Sequence, residues 1–271
     1  MMRRDAGLAR AAGRGVPLPI VVLAGVTTAF FMLPLVGLIT RAPWADLGDY
    51  LAAPEIRSAL GLSLVASLLA TVLTTVLGLP LAWVLARGDF PGRSVLRGIT
   101  TLPLVLPPVV GGVALLLVLG RLGIVGRLLE SAFGVTLFGT KAAVVIAETF
   151  VAMPFFVLTV EAGLRSMDTR YEDAAATLGA GRWMTFRRVT LPLIAPALGS
   201  GAVLAWARAL GEFGATITFA GNLPGETQTI PLSVFTQLQR DVDGAIVLSL
   251  VLVAVSLTIL VTLRDRWFGV S

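Results

Sequence analysis

Four stretches of the sequence contain no Asp, Glu, Lys or Arg, and each is longer than the roughly 18–20 residues that span a bilayer. They are residues 15–40, 58–86, 98–120 and 244–263. Because a backbone inside lipid must satisfy its own hydrogen bonds, such stretches predict helices. With two further apolar stretches, they predict an all-α polytopic membrane protein with six transmembrane helices. We place these helices near residues 17–40, 58–86, 98–120, 142–164, 193–215 and 244–263.

The residue types that the sequence lacks exclude several classes of function. Among the 271 residues there is no His and no Cys, which excludes imidazole or thiolate chemistry, Cys/His zinc sites and disulfides. The single lysine, Lys141, follows Thr140 and not a glycine, so the phosphate-binding Gly-Lys motif is absent. We therefore expect no catalysis and no metal site in this chain. If ATP energises it, another subunit hydrolyses the ATP.

Basic residues are distributed unevenly between the two sides of the predicted topology. With the N-terminus inside, fourteen of the 21 fall on inner segments and six on outer ones, while Arg208 lies within a helix. The positive-inside rule then places both termini in the cytoplasm. The net charge of +5 is thus a topology signal, and nucleic-acid binding loses its support.

The start of the chain has the basic character of a signal peptide. However, the apolar run that follows is about 24 residues long and lacks a small-x-small cleavage site. We therefore expect a retained first transmembrane helix.

Prolines interrupt the predicted third helix. Pro103, Pro107 and Pro108, followed by Gly111-Gly112, prevent several i→i−4 hydrogen bonds and must break or bend it. Two interpretations stay open, a kink required by packing and a broken helix beside a pathway that changes shape. The proline-interrupted outer loop at residues 41–57 is expected to hold a short surface helix.

The inner loop at residues 165–192 is long for a protein whose other connections are tight, and such loops are usually functional. Its acid-led run Glu172-Asp173-Ala174-Ala175 predicts a helix that ends at Gly179, a residue typical of helix C-termini. A second short helix, from Trp183 to Val189, leads through Leu191-Pro192 into the fifth span. The two helices predict a compact knob that inserts into a groove of another protein. An ordinary solvated helix pair is the alternative.

The loop resembles the signature of type I ABC importer permeases, which reads Glu-Ala-Ala, three residues, Gly, nine residues and Ile-x-Leu-Pro. Here Asp173-Ala174-Ala175 precedes Gly179 by three residues, and nine more lead to Val189-Thr190-Leu191-Pro192. Asp173 replaces Glu and Val189 replaces Ile, and the neighbouring Glu172 is a second candidate for the acid. The resemblance implies a coupling helix that docks in a cleft of an ATPase subunit. Asp173, Ala174 and Gly179 would form the docking part, and Leu191 and Pro192 its anchor to the span.

Other parts of the chain extend the resemblance. Gly78-x-Pro80-x-Ala82 is similar to the start of the permease domain, and the Gly-Glu-aromatic-Gly run at residues 211–214 is similar to sulfate and molybdate permeases. Residues 215–231 resemble the molybdate branch. The resemblance implies the permease subunit of an ATP-driven molybdate or tungstate importer that works by alternating access. A sulfate or thiosulfate importer is the near alternative, and a secondary transporter or channel without an ATPase is the distant one.

The same resemblance implies partners and a location. Two copies of the chain would form the pathway as a homodimer, in the bacterial cytoplasmic (inner) membrane. Two cytoplasmic ATP-binding subunits would carry ATP and Mg, so that this chain binds no cofactor, and an extracytoplasmic molybdate-binding protein would dock outside. The expected divisions are a basic cytoplasmic tail (1–16), a first helix with its outer loop (17–57), the permease domain (58–264) and a cytoplasmic C-terminal tail (265–271).

Charged residues inside the predicted helices form a second candidate site. Glu148 lies in the fourth helix, and Arg208 and Glu212 are i,i+4 neighbours in the fifth. At about 1.5 Å per residue, Glu148 and Arg208 reach the outer half of a core roughly 30 Å thick. We expect an Arg208–Glu212 pair joined by Glu148, serving as a lock between helices or as a gate or oxyanion contact. Glu161, near the inner end, is expected to snorkel or to face the loop.

Overall fold

The computed structural model describes residues 16–267. Residues 1–15 of the expected N-terminal tail and residues 268–271 of the expected C-terminal tail therefore lie outside the described part of the chain. The described residues are helical apart from their connections, and no strand occurs among them. Four helices are long and apolar enough to cross a membrane. They are α1 (Leu18–Thr40), α3 (Pro54–Arg87), α7 (Lys141–Ser166) and α14 (Val242–Trp267).

Two further spans are bent pairs of helices. α4 (Arg93–Val105) and α5 (Pro108–Leu119) are bent by 119° at their junction, and the segment Arg182–Leu193 is bent by 69° against α11 (Ala195–Leu210). Between α4 and α5, Leu106 is extended, as expected for a residue that precedes a proline. With each pair counted as one span there are six, which confirms the predicted polytopic all-α fold. Two of the six are not single helices.

The remaining helices are short. They are α2 (Leu47–Ala52), α6 (Ile124–Phe133), α8 (Arg170–Thr177), α9 (Arg182–Thr185), α10 (Leu191–Leu193), α12 (Gly214–Phe219) and α13 (Ile230–Gln237). α2 is the surface helix expected in the outer loop. A π-helical turn, Phe186–Thr190, connects α9 to α10, so that residues 182–193 form one continuous helical segment.

The position predicted for the outer end of the fifth span is wrong. One helix was expected over residues 193–215, but α11 ends at Leu210 and α12 begins at Gly214. The sequence carried a signal for this end that the prediction passed over, because Gly211 directly follows Leu210 and the charged Arg208 and Glu212 flank it. Gly211 caps α11, with its N–H donating to the carbonyl of Ala207, and the carboxylate of Glu212 accepts a hydrogen bond from the backbone of the next helix, as described below.

Residues from Pro43 onward form one compact unit, while α1 belongs to a unit that ends at Ala42. In the larger unit, the core is built from α3, α7 and α11, where small residues allow close approach. Phe156 of α7 is fully buried and fills the space beside Gly78 of α3 and Gly201 of α11. A Cβ atom at Gly78 would lie 2.7 Å from Phe156 Cδ1, so this contact requires glycine.

Candidate functional site

The two acids at the start of α8 have different surroundings. Glu172 Oε1 accepts a hydrogen bond of 2.7 Å from Thr190 Oγ1, and its Oε2 lies 3.3 Å from Arg87 Nη2. Asp173 is exposed, and its carboxylate has no partner among the described residues. Both acids lie in the first turn of α8, where the helix dipole favours negative charge. Glu172 therefore fastens the loop to α3, and Asp173 faces outward beside the exposed Ala174.

The end of α8 is set by Gly179, whose φ of +83° lies in the left-handed region. The N–H of Gly179 donates to the carbonyl of Ala176, and the N–H of Ala180 donates to that of Ala175, both at 2.9 Å. This pair of bonds is the Schellman arrangement that closes many helices. Gly179 is exposed, while Ala175 is partly covered.

The second half of the loop is a continuous helical segment and not a separate short helix. The predicted anchor residues Val189 and Leu191 are partly buried in it, and Pro192 is exposed in the first turn of α10. Aromatic rings hold this segment against α3. The Trp83 and Phe186 rings are edge to face with their centroids 4.6 Å apart.

Large apolar side chains of the loop are exposed. Leu178 is 88% exposed, Trp183 72% and Tyr171 58%. Exposed apolar groups rimmed by charged ones mark surfaces that interact with another protein or with a membrane, and the resemblance predicts the first for this loop. We call residues 170–185 the docking knob.

The intramembrane charges meet at the break between α11 and α12. Arg208 Nη2 lies 2.6 Å from Glu212 Oε2, and Glu212 Oε1 accepts a hydrogen bond of 2.7 Å from the backbone N–H of Ala215. Glu212 is only 1% exposed. One buried carboxylate thus neutralises an arginine of α11 and also caps the first turn of α12.

Glu148 of α7 is the third member of the expected cluster. It is 1% exposed, it interacts electrostatically with Glu212, and its Oε2 has no hydrogen-bond partner among residues 16–267. Glu148 therefore faces the pair, although no ion pair joins it to Arg208 in the described part of the chain.

The prolines of the third span lie near the same place. Pro103 is inside α4, while Pro107 and Pro108 start α5. α5 packs on α12 so closely that a Cβ atom at Gly214 would lie 2.9 Å from Pro108 Cβ. The two helix breaks are thus in contact. The docking knob lies at the other end of α11, whose 16 residues correspond to about 24 Å.

Sequence reasoning missed two polar clusters. Glu161 was expected to snorkel or to face the loop, but it is buried and binds two arginines. Arg165 lies four residues further along the same helix and could have been inferred from helical spacing, whereas Arg97 of α4 could not. Within the described ranges, no group of three or more Asp or Glu residues is arranged to hold a metal ion.

The second cluster joins the loop after α12 to α13. Asn222 Nδ2 donates to Thr236 Oγ1 and Gln228 Nε2 donates to Asn222 Oδ1, both at 3.0 Å. The polar composition of residues 222–229 was the sequence signal that could have predicted this cluster.

Comparison with known proteins gives consistent results. The Mycobacterium tuberculosis protein called molybdenum transport system permease protein ModB is 47% identical over 246 residues, which cover 90% of this chain and 91% of that protein. The Escherichia coli K12 protein of the same name is 42% identical, covering 81% of this chain and 95% of that one. The Salmonella typhimurium sulfate transport system permease protein CysT is 36% identical, covering 87% of each chain.

The fold also matches a solved structure. A chain of a bacterial ABC transporter that imports alginate superposes with a TM-score of 0.73 at 19% identity, covering 92% of this chain and 93% of that one. A family model described as binding-protein-dependent transport system inner membrane component matches residues 78–269. The chain therefore belongs to the family of inner membrane components of binding-protein-dependent transport systems.

Proposed function

We propose that this chain is the membrane-spanning subunit of an ATP-driven importer of molybdate, with tungstate as an equivalent substrate. The observation that carries the proposal is the 41–47% identity to permeases named for molybdenum transport over most of the chain. Relatives named for sulfate transport are less similar, at 36%. A sulfate or thiosulfate importer is therefore the second candidate.

The chain is a transport subunit, and the ATP is hydrolysed by a separate ATPase. Two copies would form the pathway, and each docking knob would insert into one ATPase subunit, which holds ATP and Mg. An extracytoplasmic binding protein would deliver the anion from outside. The distribution of basic residues supports cytoplasmic positions for the knob and for both termini.

The contacts of the inner loop supply a route for coupling. Closure of the ATPases would move the exposed knob, whose Glu172 is bonded to both α3 and the π-helical turn through Arg87 and Thr190. That turn continues into the segment that meets α11, and Arg208 lies in the last turn of α11. Movement of the knob would therefore reach the break between α11 and α12 through two consecutive helical segments that meet at a bend of 69°.

The cluster at that break fits a gate better than a tight anion site. Two carboxylates, Glu212 paired with Arg208 and Glu148 facing Glu212, stand against one arginine at the break, so the cluster has no net positive charge when both are ionised. An anion would be repelled unless the pair opened. Selectivity would then come mainly from the external binding protein, and the pair would control passage.

Uptake of labelled molybdate tests the proposal, in vesicles that contain this chain with its ATPase and binding protein. We expect ATP-dependent uptake that resists excess sulfate and is abolished by Gly179→Asp in the docking knob. Uptake that sulfate eliminates would assign the chain to the sulfate branch. Uptake that persists without the ATPase would overturn the importer mechanism.

A further inference from the structure

A polar cleft opens beside the knob end of the helix bundle, between the end of α3, the start of α4 and the end of α7. Its volume is about 400 Å³. The ion pair between Arg87 and Glu172 places the end of α3 beside the inner loop, so the cleft and the docking knob share one face of the molecule. The residues that matter in its lining are Asp89, Gly92, Arg93, Ser94, Arg97 and Arg165.

Three guanidinium groups converge in this cleft on one carbonyl oxygen. Leu85 O accepts from Arg93 Nη2 at 2.6 Å, from Arg165 Nη2 at 3.3 Å and from Arg97 Nη2 at 3.4 Å. Arg97 and Arg165 also donate to the buried carboxylate of Glu161. Three positive charges are therefore held around one oxygen atom with a single carboxylate bonded to them.

The charges of the cleft do not cancel. Glu161 lies behind the arginines and not in the lining, and the acid in the lining, Asp89, has no hydrogen bond or ion pair with any residue of the described part of the chain. Three arginines face two acids, Asp89 and Glu161, and the sum is one positive charge. The Nη1 atoms of Arg93, Arg97 and Arg165 have no hydrogen-bond acceptor among residues 16–267, so donors remain available.

The start of α4 adds donors to the same cleft. Gly92 caps this helix with a φ of +93°, and no side chain caps it. The backbone N–H groups of Ser94 and Val95 have no acceptor in the described ranges. The first turn of a helix of 13 residues carries a partial positive charge and binds anions.

We propose that this cleft binds a doubly charged tetrahedral oxyanion, either free in solution or as the phosphomonoester headgroup of a membrane lipid. The guanidinium groups match the oxygen geometry of such anions, and the α4 N–H groups add donors from a second direction. The site is separate from the Arg208 cluster, which lies beyond the far end of α11. The proposed topology places this cleft on the cytoplasmic side of the membrane, and the rest of the argument does not depend on that topology.

Ser94 allows a test that does not disturb the structure. Its side chain is exposed at the cleft, and the arginines hold the ends of α3 and α7 without it. Ser94→Asp adds a negative charge where the helix dipole favours one, so the fold is retained while an anion is repelled. Ser94→Asn is the matched neutral control.

The measurement is equilibrium binding of labelled molybdate and of labelled inorganic phosphate to the full chain in phosphatidylcholine nanodiscs, without ATP, ATPase or binding protein. We expect saturable binding that weakens steeply with added salt, is unchanged in Ser94→Asn and is about tenfold weaker in Ser94→Asp. Because no transport step is involved, failure of uptake does not affect this result.

A second set of nanodiscs, in which phosphatidate replaces part of the phosphatidylcholine, distinguishes the two sources. If phosphatidate binds and displaces molybdate, and Ser94→Asp reduces this effect, the natural ligand is a lipid headgroup. If molybdate binding is indifferent to phosphatidate, the ligand is the free oxyanion. Absence of binding to all three probes, or equal binding by the Asp and Asn variants, would overturn the proposal.

Discussion

Arg87 and Glu172 form an ion pair of 3.3 Å that joins the last residue of α3 to the first turn of α8. The Glu172 carboxylate also accepts a hydrogen bond from Thr190, in the second half of the inner loop. A single side chain thus holds together a membrane helix and both halves of the loop. The neighbouring Asp173, one residue further along, makes none of these contacts.

This difference predicts that Glu172 and Asp173 can be separated by mutation. Glu172→Gln removes the charge that pairs with Arg87, at a cost to stability of about 1 kcal/mol or less because the pair is partly exposed. We expect ATP hydrolysis to continue while the molybdate transported per ATP falls several-fold. Asp173→Asn is the control and should keep this ratio. An unchanged ratio in Glu172→Gln would contradict the coupling role.

The left-handed conformation of Gly179 predicts a strain that comes from the backbone alone. A Cβ atom there would meet no other atom within 4 Å, yet Gly179→Ala should cost about 1–2 kcal/mol in the knob. Gly179→Asn should be tolerated better, because asparagine adopts this conformation more readily.

Gly181 provides the control for this prediction, since its φ is −67° and the space around it is also open. The measurement is the amount of ATPase that copurifies with each variant. We expect a decrease for Gly179→Ala and none for Gly181→Ala. Equal amounts would mean that the Schellman turn is not required for docking.

The buried pair at the helix break predicts a rescue. Arg208→Ala leaves the Glu212 carboxylate buried without its partner, which typically costs about 3–5 kcal/mol and should lower the yield of assembled transporter. The double variant Arg208→Ala/Glu212→Ala should restore assembly but not molybdate uptake. If uptake also returns, the pair serves only to lock helices together.

Close packing around Phe156 predicts an intolerant glycine within α3. Gly78→Ala places a methyl group 2.7 Å from the buried ring and should lower the free energy of unfolding by about 1–3 kcal/mol. Gly61→Ala in the same helix meets nothing within 4 Å and is the control. Thermal denaturation of the purified chain measures both. Phe156→Leu should partly rescue Gly78→Ala, and failure to do so would place the clash elsewhere.

Local signals were sufficient to predict much of the fold and of the candidate site. Pro107-Pro108 indicated the break in the third span, because the missing N–H groups and the ring clashes act on adjacent residues. Gly179 indicated a helix end by a local signal too, because the left-handed backbone conformation that ends many helices is easy for glycine and unfavourable for most other residues. The pairing of Arg208 with Glu212 followed from helical spacing within four residues.

Long-range contacts could not be predicted in the same way. Glu161 meets Arg97, which is 64 positions away, and this proximity follows only from how α4 packs on α7. In the same way, the sequence could not show which of Glu172 and Asp173 fastens the inner loop to α3, because the partner Arg87 is distant in sequence. The second break, before Gly214, has no proline, but Gly211 and the charges of Arg208 and Glu212 were local signals that the prediction of one helix over residues 193–215 passed over.

The π-helical turn at Phe186–Thr190 has a consequence for the direction in which the docking knob points. A π turn contains one residue more per turn than an α turn, and one residue corresponds to about 100° of rotation in a helix. This single extra residue therefore sets the direction in which Trp183 points about the helix axis, relative to the membrane part of the same span. Loss of one residue here would keep the knob intact but turn its exposed face by about 100° about the helix axis, away from the ATPase surface that we propose it meets.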